Sequence, residues 1–330
     1  MRDNYQQIID VLSASRRVLI TTHVRPDGDA LGSLSAMVLA MRAKNIACEV
    51  LLLSHWPTKY NFLKEEIGPA YHDAEKGWPA GLDMEAFDTL LVVDTGTWSQ
   101  LPGLQEKLEG FKGKKLVVDH HLTQEQWADW KLVVTEAGAA GEIVAELIEM
   151  WEIPFTKPVA TALFVAITTD TGWFQFSNTR PYTLRLAALL LEAGVNMDAI
   201  YKHLYQNERA QRVRLQTRAM DSMQLLAEGK LAVMTLCKED FQETQASVPD
   251  TENLINIPMQ IGLVEVSILV TEPLDFGPVR ISLRSKGQVN VSKFAEQFGG
   301  GGHARASGLK IEAPLADARQ QVVSAMLSIL

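Results

Sequence analysis

Cysteine is nearly absent from this 330-residue chain: Cys48 and Cys237 stand far apart, with no partner motif around either. That argues against a disulfide framework and a thiolate metal site, and it points to a reducing compartment. Long apolar runs are missing as well. None approaches the roughly 20 residues that span a bilayer, and the polar first ten residues, with Asp3 and Asp10, do not read as a signal peptide. The expectation is a cytoplasmic protein with no membrane partner. Positive charge is scarce: 31 Lys and Arg face 40 Asp and Glu, for a net charge of −9. Such a balance argues against bulk electrostatic binding of a long duplex. Internal repeats and low-complexity segments are also lacking, so a repeat architecture is not expected.

What is present is ordinary globular composition, 47% hydrophobic and 22% charged, at a length that suits two domains. Residues 17–22, 48–53, 89–95 and 115–119 read as short buried strands. Between the first two, Leu31, Leu34, Val38 and Met41 recur at helical spacing. This βαβ rhythm predicts an α/β fold with a doubly wound, mostly parallel sheet over residues 1–196. Helices are expected at 141–151, at 158–168, and from Pro181, which follows the polar trio 177–179, to Gly194. Residues 197–228 are helical and charged in pattern and read as a helical connector. Residues 229–330 group strand-like segments at 231–236, 264–271, 279–283 and 309–312 with two helices, which suggests a second, smaller α+β domain. Between Pro278 and Lys310 the charge turns locally positive: Arg280, Arg284, Lys286, Lys293, Arg305 and Lys310 are opposed only by Glu296. A basic surface late in an acidic chain suits a small phosphorylated ligand.

The acidic and histidine residues fall at predicted strand and helix ends. After the first strand come His23, Asp27 and Asp29; after the third, Asp94-Thr95-Gly96; after the fourth, Asp119-His120-His121. A later helix leads into Asp170-Thr171-Gly172. Parallel strands bring such ends together, so these clusters should share one pocket. So many Asp and His side chains cannot stay ionised side by side without cations. A pair of divalent metals satisfies them, Mn²⁺ first by ligand type, with Mg²⁺, Co²⁺ or Zn²⁺ as alternatives. Taken alone, Asp29 before Ala30 reads equally well as a helix cap. His55, His72 and His203 stand alone and read as ordinary surface or core residues.

In this pattern the chain resembles the DHH phosphoesterase superfamily, named for the Asp-His-His triplet. Its second half is similar to the DHHA1 domain through Ile281-Ser282-Leu283-Arg284-Ser285, Val291-Ser292-Lys293-Phe294-Ala295, and the Gly299 to Gly308 stretch with its Gly-Gly-Gly-Gly-His run. Size and two-domain plan are most similar to the bacterial nanoRNase and pAp (3′-phosphoadenosine-5′-phosphate) phosphatase branch. The resemblance implies two metals, one held by His23, Asp27 and Asp94, the other by Asp29, Asp94, His120 and Asp170. It also implies that His121 faces the substrate phosphate and that Asp119 orients a histidine. In the second domain Arg284 and the Gly300, Gly301 and Gly302 backbone, followed by His303 and Arg305, are the expected phosphate contacts. Expected substrates are short single-stranded oligonucleotides or nucleotide bisphosphates; linear or cyclic dinucleotides are the alternative, and a homodimer is left open. A catalytically inactive nucleotide-binding module is the reading from another class, and the filled ligand positions speak against it.

Overall fold

The computed structural model describes residues 2–68 and 71–330, and the side chain of His303 lies outside that description. The chain forms two compact units, Met1–Asn207 and Glu208–Leu330.

In the first unit, strands β1 (Arg17–Thr21), β2 (Ala47–Leu52), β3 (Tyr71–Asp73), β4 (Thr89–Val93), β5 (Lys114–Asp119) and β6 (Trp130–Val133) form one sheet. Its order is β3-β2-β1-β4-β5-β6 and every pairing is parallel. This is the doubly wound arrangement expected from the sequence, with the order reversing between β1 and β4. Alternate strand residues serve two cores. Val18, Ile20, Leu91, Val93, Leu116 and Val118 face α1 (Arg2–Ser13), α2 (Gly28–Ala43) and α5 (Ala140–Met150). Leu19, Leu51, Leu90, Val92 and Val117 face the segment around Met84 and Phe87 and the short helix α4 (Leu104–Lys107). A small helix, α3 (Asn61–Ile67), packs beside α2. Short β3 and half-buried β6 carry weak periodic signals; α1 has an apolar face at helical spacing (Tyr5, Ile8, Ile9, Leu12) within a polar opening stretch, and the sequence reading placed none of the three.

Helix α6 (Lys157–Asp170) is apolar all round because it lies buried, packed against α2, α5 and α7 (Pro181–Glu192). Its approach to α2 is close. A Cβ added at Gly32 would lie 2.4 Å from the Ala162 carbonyl oxygen, and one at Gly141 only 2.4 Å from Ala166 Cβ. Missing side chains at these two glycines therefore let α2, α5 and α6 meet backbone to backbone. That contact brings the first turn of α2 and the last of α6 together.

The second unit contains α9 (Ala210–Asp221), β7 (Gln224–Leu226), β8 (Leu231–Leu236), α10 (Lys238–Thr244), β9 (Val266–Thr271), β10 (Val279–Ser285), α11 (Val291–Glu296), β11 (Gly301–His303), β12 (Ala306–Ile311) and α12 (Leu315–Leu327). Its sheet runs β11-β12-β10-β9-β8-β7, antiparallel except between β8 and β9. One face packs on α11 and α12; on the other, Met234, Leu236 and Leu269 pack under α9 and α10. The stretch 197–228, expected as a connector, is divided. Helix α8 (Met197–Tyr205) buries Ile200 and Leu204 in the first unit's core, whereas α9 buries Leu215 and Ala219 in the second. Each helix has an apolar face, and each face is used by its own unit.

The helix crossing makes a direct expectation. Gly32→Ala forces α2 away from the α6 backbone, so stability should drop by about 1–3 kcal/mol, the usual cost of overpacking. Urea denaturation of the metal-stripped protein measures it, and an unchanged midpoint would show that the crossing has slack.

Candidate metal centre

The edge of the sheet at the β1/β4 reversal carries the cluster. His23 lies two residues beyond β1, Asp94 follows β4 directly, and β5 ends on Asp119 with His120 and His121 behind it. Asp94 takes a left-handed backbone (φ 63°), which Asp tolerates better than most residues.

Asp27 is the N-cap of α2, accepting from the backbone N–H of Asp29 (3.0 Å) and Ala30 (3.1 Å). The cap role considered for Asp29 thus belongs to Asp27. Asp29 is buried and looks across to α5, where its carboxylate accepts from Ala140 N (2.6 Å) and Gly141 N (2.9 Å), and also from Ser33 Oγ (3.1 Å). These are unpaired donors of a helix N-terminus, where negative charge is favoured.

Two imidazoles are aimed by backbone carbonyls. His23 Nδ1 lies 2.9 Å from Val24 O, and His120 Nδ1 lies 3.1 Å from Ala137 O. A carbonyl only accepts, so each Nδ1 carries the proton and each Nε2 presents a lone pair to the cluster. His23 Nε2 is 3.4 Å from Asp94 Oδ2 and 3.9 Å from Asp27 Oδ1. His120 Nε2 is 3.5 Å from Asp94 Oδ1, 3.6 Å from Asp170 Oδ2 and 3.7 Å from Asp29 Oδ2. These gaps are too long for good hydrogen bonds. They are near the separation of neighbouring ligands around one cation, about 3–3.5 Å for bonds of about 2.1 Å.

The charge distribution agrees. Burial, then the neighbouring carboxylates, push Asp29 and Asp94 well above the ordinary range, and burial raises Asp170. Asp94 Oδ1 is buried with no hydrogen-bond partner. A buried carboxylate with one orphaned oxygen, met by the His120 lone pair at Oδ1 and the His23 lone pair at Oδ2, fits a divalent cation. The sets His23, Asp27, Asp94 and Asp29, His120, Asp170 could each hold a metal ion; so could Asp94, His120 and His121.

Asp119 behaves differently. Burial alone would raise it, but hydrogen bonds from His121 Nδ1 (2.8 Å), from Gln124 and from the His120 and His121 backbone hold it below the usual carboxylate range. That same bond lifts His121 to about 9, against the opposing effect of burial. With Nδ1 committed to Asp119, His121 is a cationic donor rather than a free ligand.

Of the remaining histidines, His72 pairs with Glu49 (2.7 Å) and His203 stacks on Phe62. His55 joins Asp73 and Glu75 in a fully exposed group.

In the second unit the register sets Arg284, Ala306 and His303 abreast across β10, β12 and β11. Arg284 is half-buried, and burial lowers its pKa. Arg280 and Lys310, paired four positions along, are exposed on the same strands. The glycine run, expected to bring backbone close to a phosphate, also makes close backbone contacts within its own chain. Gly299 N and Gly300 N donate to Glu296 O (3.1 Å) and Ala295 O (2.9 Å), closing α11, while Gly301 and Gly302 pair with Gly308 and Ser307. Arg305 is exposed, its guanidinium beside Gly287.

Residues 17–167 match the DHH family, N-terminal domain, and residues 228–330 match the DHHA1 domain. The chain is a DHH–DHHA1 protein. It is 29% identical over 295 residues to the bifunctional oligoribonuclease and PAP phosphatase NrnA of Thermus thermophilus, which covers 89% of this chain and 84% of that protein. An exopolyphosphatase-related protein from Bacteroides fragilis has the same fold, with a TM-score of 0.84 at 22% identity over 99% of this chain and 96% of that one. RecJ of T. thermophilus in complex with Mn²⁺ is a looser match, with a TM-score of 0.53 at 13% identity; it covers all of this chain (100%) and 55% of that one.

The DHH–DHHA1 chain also contains a support that sequence reasoning missed. Asn178 Nδ2 donates to both Gly138 O (2.8 Å) and Asp170 O (3.1 Å). It ties the Asp170 turn to the 137–141 segment, which already aims His120 and binds Asp29. Its neighbours in the polar trio had suggested only a lead-in to the next helix. The amide uses both of its N–H donors here, and an ionised Asp of the same shape offers none. Asn178→Asp should therefore cut divalent-metal affinity about 10- to 100-fold, the usual effect of removing a group that orients a ligand. The metal-induced rise in Tm isolates that loss from any change in the metal-free fold.

The raised groups also set a pH dependence. In chelator, folded Asp29, Asp94 and Asp170 keep protons that the unfolded chain releases near its ordinary value of 3.8, and His121 does so between 6.5 and about 9. Folded pKa values above unfolded ones give stability that is full at low pH and lost as pH rises. Carboxylates held low, such as Asp119 and Asp250, act below this window. The Tm of metal-stripped protein should fall from pH 5 to pH 9, and a divalent ion should restore it; a rising Tm in chelator would contradict the charge cluster.

Proposed function

We propose that this chain is a two-metal phosphoesterase that hydrolyses short single-stranded oligonucleotides to mononucleotides and removes the 3′-phosphate of pAp. The observation that carries this reading is the set of adjoining cation-competent groups, two of them sharing Asp94 and two sharing His120, with the His121 ring held beside them by Asp119. The name borne by the T. thermophilus relative supports the substrate class, and the Mn²⁺ complex of RecJ supports the ion.

In this reading His23, Asp27 and Asp94 hold one ion, and Asp29, Asp94, His120 and Asp170 hold the other. Bound there, the ions would activate water and neutralise phosphoryl charge. The chain's own residues supply the rest. Val24 O and Ala137 O fix the two imidazole tautomers, and the backbone donors of the α5 N-terminus hold the Asp29 carboxylate in place. Asp119 holds the His121 ring by Nδ1, leaving the Nε2 proton for a phosphoryl or leaving oxygen. Arg284, with Gly301, Gly302, His303 and Arg305 brought near it by the β10-β12-β11 register, supplies phosphate recognition in the second unit.

A substrate panel tests the reading: pAp, di- to pentanucleotides, a long single strand, cyclic dinucleotides and pyrophosphate, each with Mn²⁺ or chelator. Turnover should favour pAp and the shortest strands, vanish in chelator, and fall by several orders of magnitude in Asp94→Ala. Arg284→Ala should lower kcat/KM on pAp about 10- to 1000-fold, and far less on bis-p-nitrophenyl phosphate, which offers no second phosphate. Undiminished turnover in chelator would end the two-metal reading, and a preference for pyrophosphate would redirect the substrate assignment.

A further inference from the structure

The turn that follows Asp170 carries three aromatic residues, and they are treated differently. Gly172, Trp173 and Phe174 take left-handed backbone conformations in succession (φ 55°, 56° and 66°), which is strained for the two that carry side chains. Trp173 and Phe174 turn inward and anchor the loop on the buried ring of Phe164, with centroids 6.0 and 6.3 Å away. Phe176 does not turn in. It is 58% exposed, although its backbone is fixed by a bond from Phe176 N to Thr171 O (3.0 Å) and by Thr179 N donating back to Phe176 O (3.0 Å). Its ring is laid against Gly172, where an added Cβ would meet Cζ, Cε2 and Cε1 at 2.5–2.7 Å. Only glycine leaves room for that ring position.

The result is an aromatic ring on a fixed backbone, backed on one side by glycine and open to water, six residues after Asp170. Packing does not account for it, since Phe176 joins none of the hydrophobic cores. Backbone strain is kept where a particular presentation is required, and here the strained turn presents this ring. A flat, apolar, sequence-tolerant surface beside a phosphoester site suits one ligand group, the π-face of a nucleobase.

We propose that Phe176 is a stacking platform for a nucleobase of the substrate and contributes to its selection over phosphoesters that carry no base. This rests on the nucleotide-phosphoesterase reading above. The test compares wild type with Phe176→Ala, Phe176→Leu and Phe176→Tyr, all as full-length, metal-loaded protein. KM is measured for an adenine dinucleotide and for the same dinucleotide made abasic. Stacking predicts that the KM preference for the base-bearing substrate shrinks about 5- to 100-fold in the Ala and Leu variants. Tyr, which keeps the ring, should retain it. Leu separates stacking from mere apolar bulk, and loss of an exposed ring should leave Tm nearly unchanged.

A preference unaltered in Ala and Leu overturns the proposal. So does an equal loss on both substrates, which would mark a structural role, or a Tyr variant as impaired as Ala. If wild type turns over no nucleotide at all, the phosphoesterase reading fails by itself. Titration calorimetry of pAp into metal-stripped protein then decides the stacking question: weaker binding in Ala but not in Tyr upholds it, and equal or undetectable binding throughout overturns it.

Discussion

The first unit is organised around carboxylate charge that water cannot reach. Asp29 and Asp94 are almost completely buried, and an ionised carboxylate in such a place must find compensation or take up a proton. Asp29 finds part of it in the backbone donors that open α5. For Asp94 Oδ1 the protein supplies no hydrogen bond; His120 turns its Nε2 lone pair to that oxygen and His23 to Oδ2, their protons directed away toward carbonyls. The local structure is unfavourable as a set of protein groups and favourable as a set of ligands. Asp119 shows the contrast within one triplet: equally hidden, it is fully hydrogen-bonded and remains an ordinary anion paired with His121.

That cluster depends on contacts far from the carboxylates. Its members reach it from α2, from the ends of β1, β4 and β5, and from the end of α6, so the helices must meet more closely than side chains would normally allow. Gly32 and Gly141 make this possible at the two crossings. The 137–141 segment then does several jobs at once. Ala137 O aims His120, the Ala140 and Gly141 N–H groups bind Asp29, and Gly138 O is bridged through Asn178 to Asp170. A shift of this one segment would disturb three proposed ligands together, which is a physical reason for it to be buried and rigid.

The second unit uses glycine for another purpose. In its Gly299–Gly302 run the first two N–H groups stop a helix and the last two residues form a hairpin strand. The glycines keep β11 close against β12: a Cβ at Gly300 or Gly302 would meet the Gly308 or Ala306 carbonyl at 2.5 or 2.6 Å. A glycine-rich run thus permits close backbone approach without revealing which backbone makes the approach, a strand of the same chain or a phosphate.

How much was legible beforehand follows from the range of the interactions involved. Strand and helix periodicity is local, so β1, β2, β4, β5, α2, α5 and α6 could be read directly, and their alternation implied a parallel sheet. A parallel sheet collects its strand ends, so His23, Asp27, Asp29, Asp94, His120 and Asp170 could be expected in one place. Short or half-buried elements such as β3 and β6 lack a periodic signal, and amphipathic α8 and α9 do not announce which core they join. Nor could the sequence by itself assign the cap to Asp27 rather than Asp29, tie Asn178 to Asp170, or leave Phe176 exposed while Trp173 and Phe174 turned inward. Those outcomes depend on partners brought together only by the completed fold, such as Asp29 and Ala140, 111 residues apart. Local chemistry therefore determined which groups could bind cations. Tertiary packing decided which carboxylates are left without protein partners, because burial and the direction of each side chain exist only once the helices have closed over the sheet.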